Sequence, residues 1–188
     1  MWLRTESAVL PGLEKKATFL TVIPYSRIHI QKSWGFWTTP IYTQWIGPRH
    51  TNFPDGSVCA FDPKDGTWKL GDKLRDLLDI YTLWALRHEH LNLCGRWPGH
   101  QAVPHVYERI TELKPDELCG CGKKDLRYAD CCQETDLTSP FIENFFRFMR
   151  FTQGSLQRSP PSEIVEMIKH HATPPPINNY VSSIVPLH

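Results

Sequence analysis

The chain has 188 residues, in which 21 Lys and Arg stand against 20 Asp and Glu, so the formal net charge is +1. A protein that binds nucleic acid mainly by bulk electrostatics needs a clear basic excess, and this composition excludes that class. Hydrophobic residues make up 40% of the chain and aromatic residues 12%, which favours a folded core over disorder.

The sequence offers no segment for a membrane or for secretion. No apolar run approaches the roughly 18 residues that a spanning helix needs. The N-terminal segment lacks the basic start and apolar centre of a secretory signal. We therefore expect a cytoplasmic protein that makes no direct contact with nucleic acid or membrane.

The first predicted elements are strands. Residues 17–30 and 34–46 are rich in β-branched and aromatic side chains, which is typical of strands. Pro24 and Pro40 should divide them into short extended pieces, because proline cannot donate a ladder hydrogen bond. Residues 47–67 are rich in Gly, Pro, Asp and Asn, and we predict that they are mostly irregular.

Four helices are predicted in the rest of the chain. Apolar residues recur at i, i+4, i+7 and i+8 over residues 70–88, which indicates a long amphipathic helix. Shorter helices are predicted at 104–113, around 141–149 and at 161–171. His88 and His90 do not share a helix face, and we interpret them as the solvated end of the long helix. The fold class predicted from this order is α+β.

Four of the six cysteines crowd into 14 residues, as Cys119-Gly-Cys121 and, after a gap of nine, Cys131-Cys132. Four thiolates can close a tetrahedral zinc site that leaves no open position. The alternative is four thiols that bind no metal. The run resembles the SEC-C zinc motif, a small Cys-rich module on many bacterial proteins. We predict that all four cysteines bind Zn²⁺ in a closed site with a structural or docking role.

A further cysteine, Cys59, follows His50-Thr51-Asn52 and precedes Trp68 and the predicted long helix. This order resembles the centre of the ubiquitin-conjugating enzyme (UBC) fold, in which His-Pro-Asn, Gly-x-Ile-Cys, Trp and a helix follow one another. Thr51 stands in the place of the motif's proline. The resemblance covers about residues 17–92 and implies a UBC-like antiparallel sheet with a long helix behind the active-site cysteine.

The same resemblance implies three site residues. Cys59 would be the nucleophile, which reacts as a thiolate and must be accessible. Asn52 would donate its side-chain amide to a loop carbonyl or a developing oxyanion, and His50 would fix the loop by hydrogen bonds. Taken alone, Cys59 is better interpreted as a small buried apolar residue, because free cysteine is among the most buried residue types; the surrounding order favours a reactive thiol. Cys94 is a lesser candidate, either for packing or as a second thiol.

A conjugating fold followed by such a Cys motif is similar to the stand-alone UBC-like proteins of bacterial CBASS antiphage operons (type II short form). Arg96-Trp97-Pro98-Gly99-His100-Gln101 and the run from Glu117 to Gly122 add to this resemblance. The implied segments are a UBC-like conjugating domain at 1–115, a SEC-C-like zinc knuckle at 116–135 and a helical, proline-marked extension at 136–188. The implied partner is a cGAS-like nucleotidyltransferase, whose C-terminal tail would meet Cys59 and prime second-messenger synthesis.

Whether the chain is an enzyme stays open at this point. A thioester at Cys59 needs ATP and hence a separate activating enzyme, because the sequence has no Gly-rich nucleotide-binding loop. A disulfide needs only an oxidised partner and a poised thiolate. The alternative function is a non-catalytic, zinc-containing adaptor that docks the nucleotidyltransferase through a degenerate UBC-like groove.

Overall fold

A computed structural model describes residues 1–9, 12–24, 29–61, 66–69, 71–123, 125–180 and 182–183. Contacts between residues divide the chain into two compact units. The first unit is Met1–Ala85 with Arg158–His188, and the second is Leu86–Gln157. The α+β class is confirmed, since a four-stranded antiparallel sheet and several helices are both present. The three-segment organisation expected from the sequence stays a prediction.

The first unit is built on the sheet. In chain order the strands are β1 (Trp2–Glu6), β2 (Lys16–Val22), β3 (His29–Ile30), β4 (Lys32–Thr38), β5 (Thr43–Trp45) and β6 (Ser182–Ser183). The main sheet has the order β1-β2-β4-β5 with antiparallel neighbours, and β3 pairs with β6. Pro24 lies beyond the end of β2, and Pro40 lies between β4 and β5, as predicted. The sequence reasoning missed β1.

Both faces of this sheet are covered. On one face Leu20 and Trp34 pack against Ile164 and Ile168 of a C-terminal helix. On the other face Phe19 lies 5.4 Å from Tyr81, measured between ring centroids. Because neighbouring side chains of a strand alternate between faces, two covered faces explain why nearly all of β2 and β4 is buried.

The long helix α1 spans Leu74–Cys94, whereas the sequence predicted residues 70–88. It begins later because Asp72 closes a turn, in which its carboxylate accepts the backbone N–H of Lys69 at 3.0 Å. It ends just before Gly95, whose φ is +68°. Glycine favours this left-handed conformation after a helix end because it has no Cβ. Cys94, which lies beyond the predicted residues 70–88, is therefore the last helical residue.

The interpretation of His88 as part of a solvated helix end is wrong. Because α1 continues to Cys94, His88 lies inside the helix and only 2% of its surface is exposed. Its ring lies 5.1 Å from that of Trp97, in an edge-to-face arrangement. Packing against an aromatic ring thus accounts for this histidine better than fraying does.

The second unit contains the end of α1 and three short helices, α2 (Val106–Glu112), α3 (Gln133–Thr138) and α4 (Phe141–Phe151). Aromatic rings join α2 to α4, since the ring centroid of Tyr107 lies 5.6 Å from that of Phe141, 5.4 Å from that of Phe145 and 5.1 Å from that of Phe148. The helices predicted at 104–113 and 141–149 are confirmed, and α3 was not predicted. In the first unit, α5 (Ser162–His170) confirms the helix predicted at 161–171. No helix among the described residues is long and apolar enough to cross a membrane.

Candidate active site and metal centre

The segment before Cys59 forms a narrow loop closed by its own backbone. Thr51 and Val58 pair as an isolated antiparallel bridge. Inside it, the N–H of Asn52 donates to the carbonyl of Ser57 at 2.7 Å, and the N–H of Gly56 donates to the carbonyl of Asn52 at 2.9 Å. The segment was predicted to be irregular, and its turns and single bridge agree with that.

His50 holds the base of this loop through its backbone. Its carbonyl accepts the N–H of Cys59 at 3.1 Å and the indole Nε1–H of Trp84, in α1, at 2.8 Å. The backbone φ of His50 is +50°, in the left-handed region. These bonds connect α1, through Trp84, to His50, whose carbonyl also holds the backbone of Cys59. That the His50 imidazole also fixes the loop by hydrogen bonds stays a prediction.

Asn52 uses its side-chain amide within the loop. Nδ2 donates to Ser57 Oγ and to the carbonyl of Val58, both at 3.2 Å. An amide NH₂ has two N–H donors, so these two bonds occupy both. The first half of the expected role, donation to a loop carbonyl, matches this geometry. Donation to an oxyanion at Cys59 would require Asn52 to break one of these bonds, and it stays a prediction.

The sheet supports the loop from a second side through Asp55. Lys32 of β4 forms an ion pair with its carboxylate at 2.7 Å, and Trp34 Nε1–H donates to its carbonyl at 2.8 Å. The same carboxylate accepts the N–H of Ser57 at 3.0 Å. Asp55 lies in Pro54-Asp55-Gly56, within the segment predicted to be irregular. The structure makes it the link between β4 and the loop.

The C-terminal segment of the first unit supports the loop from a third side. Arg158 is 6% exposed; its guanidinium donates to the carbonyl of Pro48 at 3.1 Å and lies 4.1 Å from the ring centroid of Phe53. The N–H of Ser159 donates to the carbonyl of Pro54 at 3.3 Å. Sequence reasoning missed Arg158, and no local pattern could reveal it, because the contact spans 110 residues.

The same segment explains why Gly56 precedes Ser57-Val58-Cys59. A Cβ at Gly56 would lie 2.8 Å from the backbone carbon of Ser159 and 2.8 Å from the Trp45 ring. Its φ is +64°, where other residues are strained. The glycine therefore lets the loop approach both the C-terminal segment and the sheet.

Cys59 combines a fixed backbone with an exposed side chain. Its own N–H is bonded to the loop base, and the N–H of the preceding Val58 donates to Ser33 of β4 at 2.7 Å. The interpretation of Cys59 as a buried apolar residue is therefore wrong. Cys94 is also exposed, at the end of α1. Exposure alone thus does not distinguish the two thiols, whereas the loop described above involves only Cys59.

The four clustered cysteines come together in the second unit. One ligand atom from each of Cys119, Cys121, Cys131 and Cys132 lies within 4.8 Å of all the others. The Sγ atoms of Cys121 and Cys131 are 3.6 Å apart, as are those of Cys131 and Cys132. Cys119 is buried and the other three are half-buried. This cluster could hold a metal ion, as the spacing predicted.

Backbone bonds build the cluster from two tight turns. Cys119 N–H donates to the carbonyl of Leu126 at 2.7 Å, and the carbonyl of Tyr128 accepts the N–H groups of Cys131 and Cys132, both at 3.2 Å. Gly120 packs so closely on Val103 that a Cβ would lie 2.5 Å from its nitrogen. The sulfur atoms are thus positioned by the polypeptide before any ion is considered.

The thiols of the cluster differ in acidity. Burial raises the pKa of Cys119 and, together with the neighbouring thiols, that of Cys132. Burial acts in the same direction on Cys121, but hydrogen bonds from the Lys123 backbone and the other cysteines outweigh it and lower its pKa to about 7. The thiolate is the form that binds a metal, so Cys121 reaches this form more readily than Cys119 and Cys132 do.

A buried ion pair lies next to the cluster. Arg109 of α2 and Asp136 of α3 are joined by two bonds, Nε to Oδ2 at 2.8 Å and Nη2 to Oδ1 at 2.7 Å. Nη1 of Arg109 donates to the carbonyl of Val103 at 3.1 Å, and Asp136 N–H donates to the carbonyl of Cys132 at 2.8 Å. The pair therefore connects two helices to the backbone that carries the sulfur ligands.

Comparison with known proteins adds no further identification. No protein-family model, no curated protein and no solved structure matches the chain.

Proposed function

We propose that the chain is a UBC-like protein of bacterial CBASS signalling, which uses Cys59 to form a covalent link with the C-terminal tail of a cGAS-like nucleotidyltransferase and so primes that enzyme. The observation that carries the proposal is the exposed Cys59 thiol at the end of a loop held from three sides. A nucleophile needs access for its substrate and a fixed position for attack. Both requirements are met at Cys59.

The residues around Cys59 agree with the order of elements that suggested the family. An antiparallel sheet precedes the loop, and α1 follows it and contacts its base through Trp84. Trp68, between Cys59 and α1, is 4% exposed and lies 6.5 Å from the ring of Phe61. These features support a conjugating-enzyme-like arrangement.

Two chemical routes lead to a covalent link. In the thioester route, a separate enzyme activates the tail carboxylate with ATP, and the Cys59 thiolate displaces the activating group as it bonds to the carbonyl carbon. In the disulfide route, the thiolate attacks an oxidised cysteine of the tail, and the sulfur bonded to that cysteine leaves as a thiolate. Each route leaves a bond of different chemical stability.

The experiment compares the purified pair on non-reducing and reducing gels, with and without hydroxylamine. We expect a slower band that combines both proteins, that is lost in Cys59→Ser and that is retained in Cys94→Ser, the matched control with a second exposed thiol. Cleavage by hydroxylamine identifies the thioester. Survival in hydroxylamine and loss in dithiothreitol identify the disulfide. No combined band, or a band retained in Cys59→Ser, contradicts the proposal.

We further propose that the metal of the Cys cluster is Zn²⁺. Zinc binds sulfur at about 2.3 Å in a tetrahedron, which separates its ligands by about 3.8 Å. The observed separations of 3.6 Å are close to that value. Four thiolates close the coordination sphere and leave no position for a reacting water. The ion would thus stabilise the second unit or a docking surface, and elemental analysis of the purified protein should give one zinc per chain.

One observation favours the alternative of a non-catalytic adaptor. Both amide donors of Asn52 are occupied within the loop, so an oxyanion at Cys59 would not find this donor without a rearrangement. The adaptor predicts that Cys59→Ala leaves nucleotidyltransferase binding and priming intact. The covalent proposal predicts that priming is lost while the second unit remains folded.

A further inference from the structure

Helix α5 is shorter than the sheet face that it covers. Trp34 and Phe36 pack under α5. Strand pairing places Lys16 opposite Thr38, and Thr38 opposite Thr43. Because side chains alternate along a strand, this row points to the same face as Phe36. Lys16, Thr38 and Thr43 lie beyond the part of the sheet that α5 covers. They line an open cleft of about 890 Å³ at the end of α5.

This cleft concentrates positive charge on an almost neutral chain. The cationic residues that line it are Arg4, Lys15, Lys16 and Lys169, against the carboxylates of Glu6 and Glu14. The Lys15 ammonium lies over the Trp37 ring, 4.4 Å from its centroid. With neutral histidines the rest of the lining carries +1, as much as the whole chain. The cleft therefore attracts anionic groups.

Internal contacts hold two of these cations along one wall. Glu6 accepts from Arg4 at 3.3 Å and from Lys16 at 3.4 Å. Nη1 of Arg4 lies 3.3 Å from Nδ1 of His171. A guanidinium has five N–H donors and an ammonium three, so these contacts orient the two cations and leave donors for the carboxylates of a ligand.

The opposite rim of the cleft is apolar. Ile41 is 92% exposed and Tyr42 is 48% exposed, in the turn between β4 and β5. Exposed apolar side chains beside a charged cleft are typical of a surface that binds another protein. A ligand that fits both walls carries carboxylates on one side and apolar side chains on the other.

We propose that this cleft binds an extended acidic peptide segment of a partner protein, with apolar residues among its Asp and Glu. A peptide fits better than a nucleic acid. A phosphate backbone carries a charge at every nucleotide and is bound by a continuous basic surface, whereas here Glu6 and Glu14 interrupt the cations. The proposal goes beyond the chemistry at Cys59 and stands without it, since none of the described residues from Pro48 to Cys59 lines the cleft.

The test is fluorescence anisotropy with the full chain and a labelled peptide, Glu-Leu-Glu-Leu-Glu-Leu, at low salt; in an extended conformation its Glu and Leu side chains lie on opposite sides. We expect saturable binding with a dissociation constant below about 1 mM, which weakens as salt is added. The same peptide with Gln in place of Glu should bind at least five-fold more weakly. Lys169→Glu and Arg4→Glu should each weaken binding of the acidic peptide at least five-fold.

Lys73→Glu is the control, because Lys73 lies outside the cleft and the substitution changes the total charge by the same amount. We expect it to bind the peptide like the natural sequence. Absence of saturable binding overturns the proposal, as does an equal loss in Lys73→Glu. Tighter binding of a single-stranded oligonucleotide, lost in Arg4→Glu, would overturn it in favour of a nucleic acid. Circular dichroism checks that each variant is folded.

Discussion

The buried ion pair of the second unit allows a sharp prediction of stability. The side chains of Arg109 and Asp136 are 7% and 3% exposed. Asp136→Ala would leave the guanidinium buried without its carboxylate, although it would still bond to the carbonyls of Val103 and Pro104. Removing one partner of a buried pair costs about 3–5 kcal/mol, because the remaining charge is desolvated and uncompensated.

Urea unfolding followed by far-ultraviolet circular dichroism measures this loss. With a urea dependence of about 2 kcal/mol per molar, the midpoint of the transition that reports the second unit should fall by about 1.5–2.5 M. The pair between Arg147 and Glu143 is the matched control, since its atoms are 2.8 Å apart but its side chains are 61% and 62% exposed. Arg147→Ala should cost about 0.5 kcal/mol at most, a shift of about 0.3 M.

The comparison separates the effect of burial on stability from that of the distance between the charged atoms, because this distance is nearly the same in the two ion pairs. If Asp136→Ala shifts the midpoint no more than Arg147→Ala does, the argument from desolvation is wrong. The double variant Arg109→Met with Asp136→Leu adds a second check. It should recover much of the loss, because it removes both charges and fills the space with apolar atoms.

Three further predictions concern the metal, pH and the loop of Cys59. Chelation of the metal, or Cys131→Ser, should remove hydrogen-exchange protection from residues 103–136, because a structural zinc contributes directly to folding; unchanged protection would contradict a structural site. Burial lowers the pKa of His105 below 6.5, so the unfolded chain takes up this proton first and stability should fall as pH drops through 6.5. Urea midpoints measured at several pH values should decrease less in His105→Phe than in the natural sequence. A variant of exposed His100 is the control, and its midpoint should decrease as much as that of the natural sequence. Arg158→Ala should lower the stability of the first unit by about 1–3 kcal/mol, since the Pro48 carbonyl loses a buried donor, and an unchanged urea midpoint would refute this.

Local periodicity accounts for what the sequence predicted correctly. The strands around Pro24 and Pro40, and the helices over 104–113 and 161–171, are set by neighbouring residues. Their limits differ from the predictions by a few residues, because the ends depend on turns such as the one at Asp72. The Cys cluster was predictable for a similar reason, since a metal site fixes the spacing of its ligands.

The features that the sequence did not predict depend on distant contacts. In β1, Arg4 and Glu6 point to the same face as Trp2 but lie beside the polar cleft, so the strand shows no apolar alternation. The burial of His88 depends on Trp97, and the support of the Cys59 loop depends on Arg158. The chemistry expected of His50 and Asn52 came from the family resemblance. The structure shows the hydrogen bonds that these two residues make within the loop and to Trp84.

The covering of the sheet by α5 has a consequence for biosynthesis. Residues 162–170 complete a core whose other half is formed by Leu20, Trp34 and Phe36. Synthesis from the N-terminus produces this sheet long before the helix that shields it. Until then its apolar face meets water, which is the condition under which nascent chains aggregate or bind chaperones. The first unit can therefore reach its native fold only after residues 162–170 have left the ribosome.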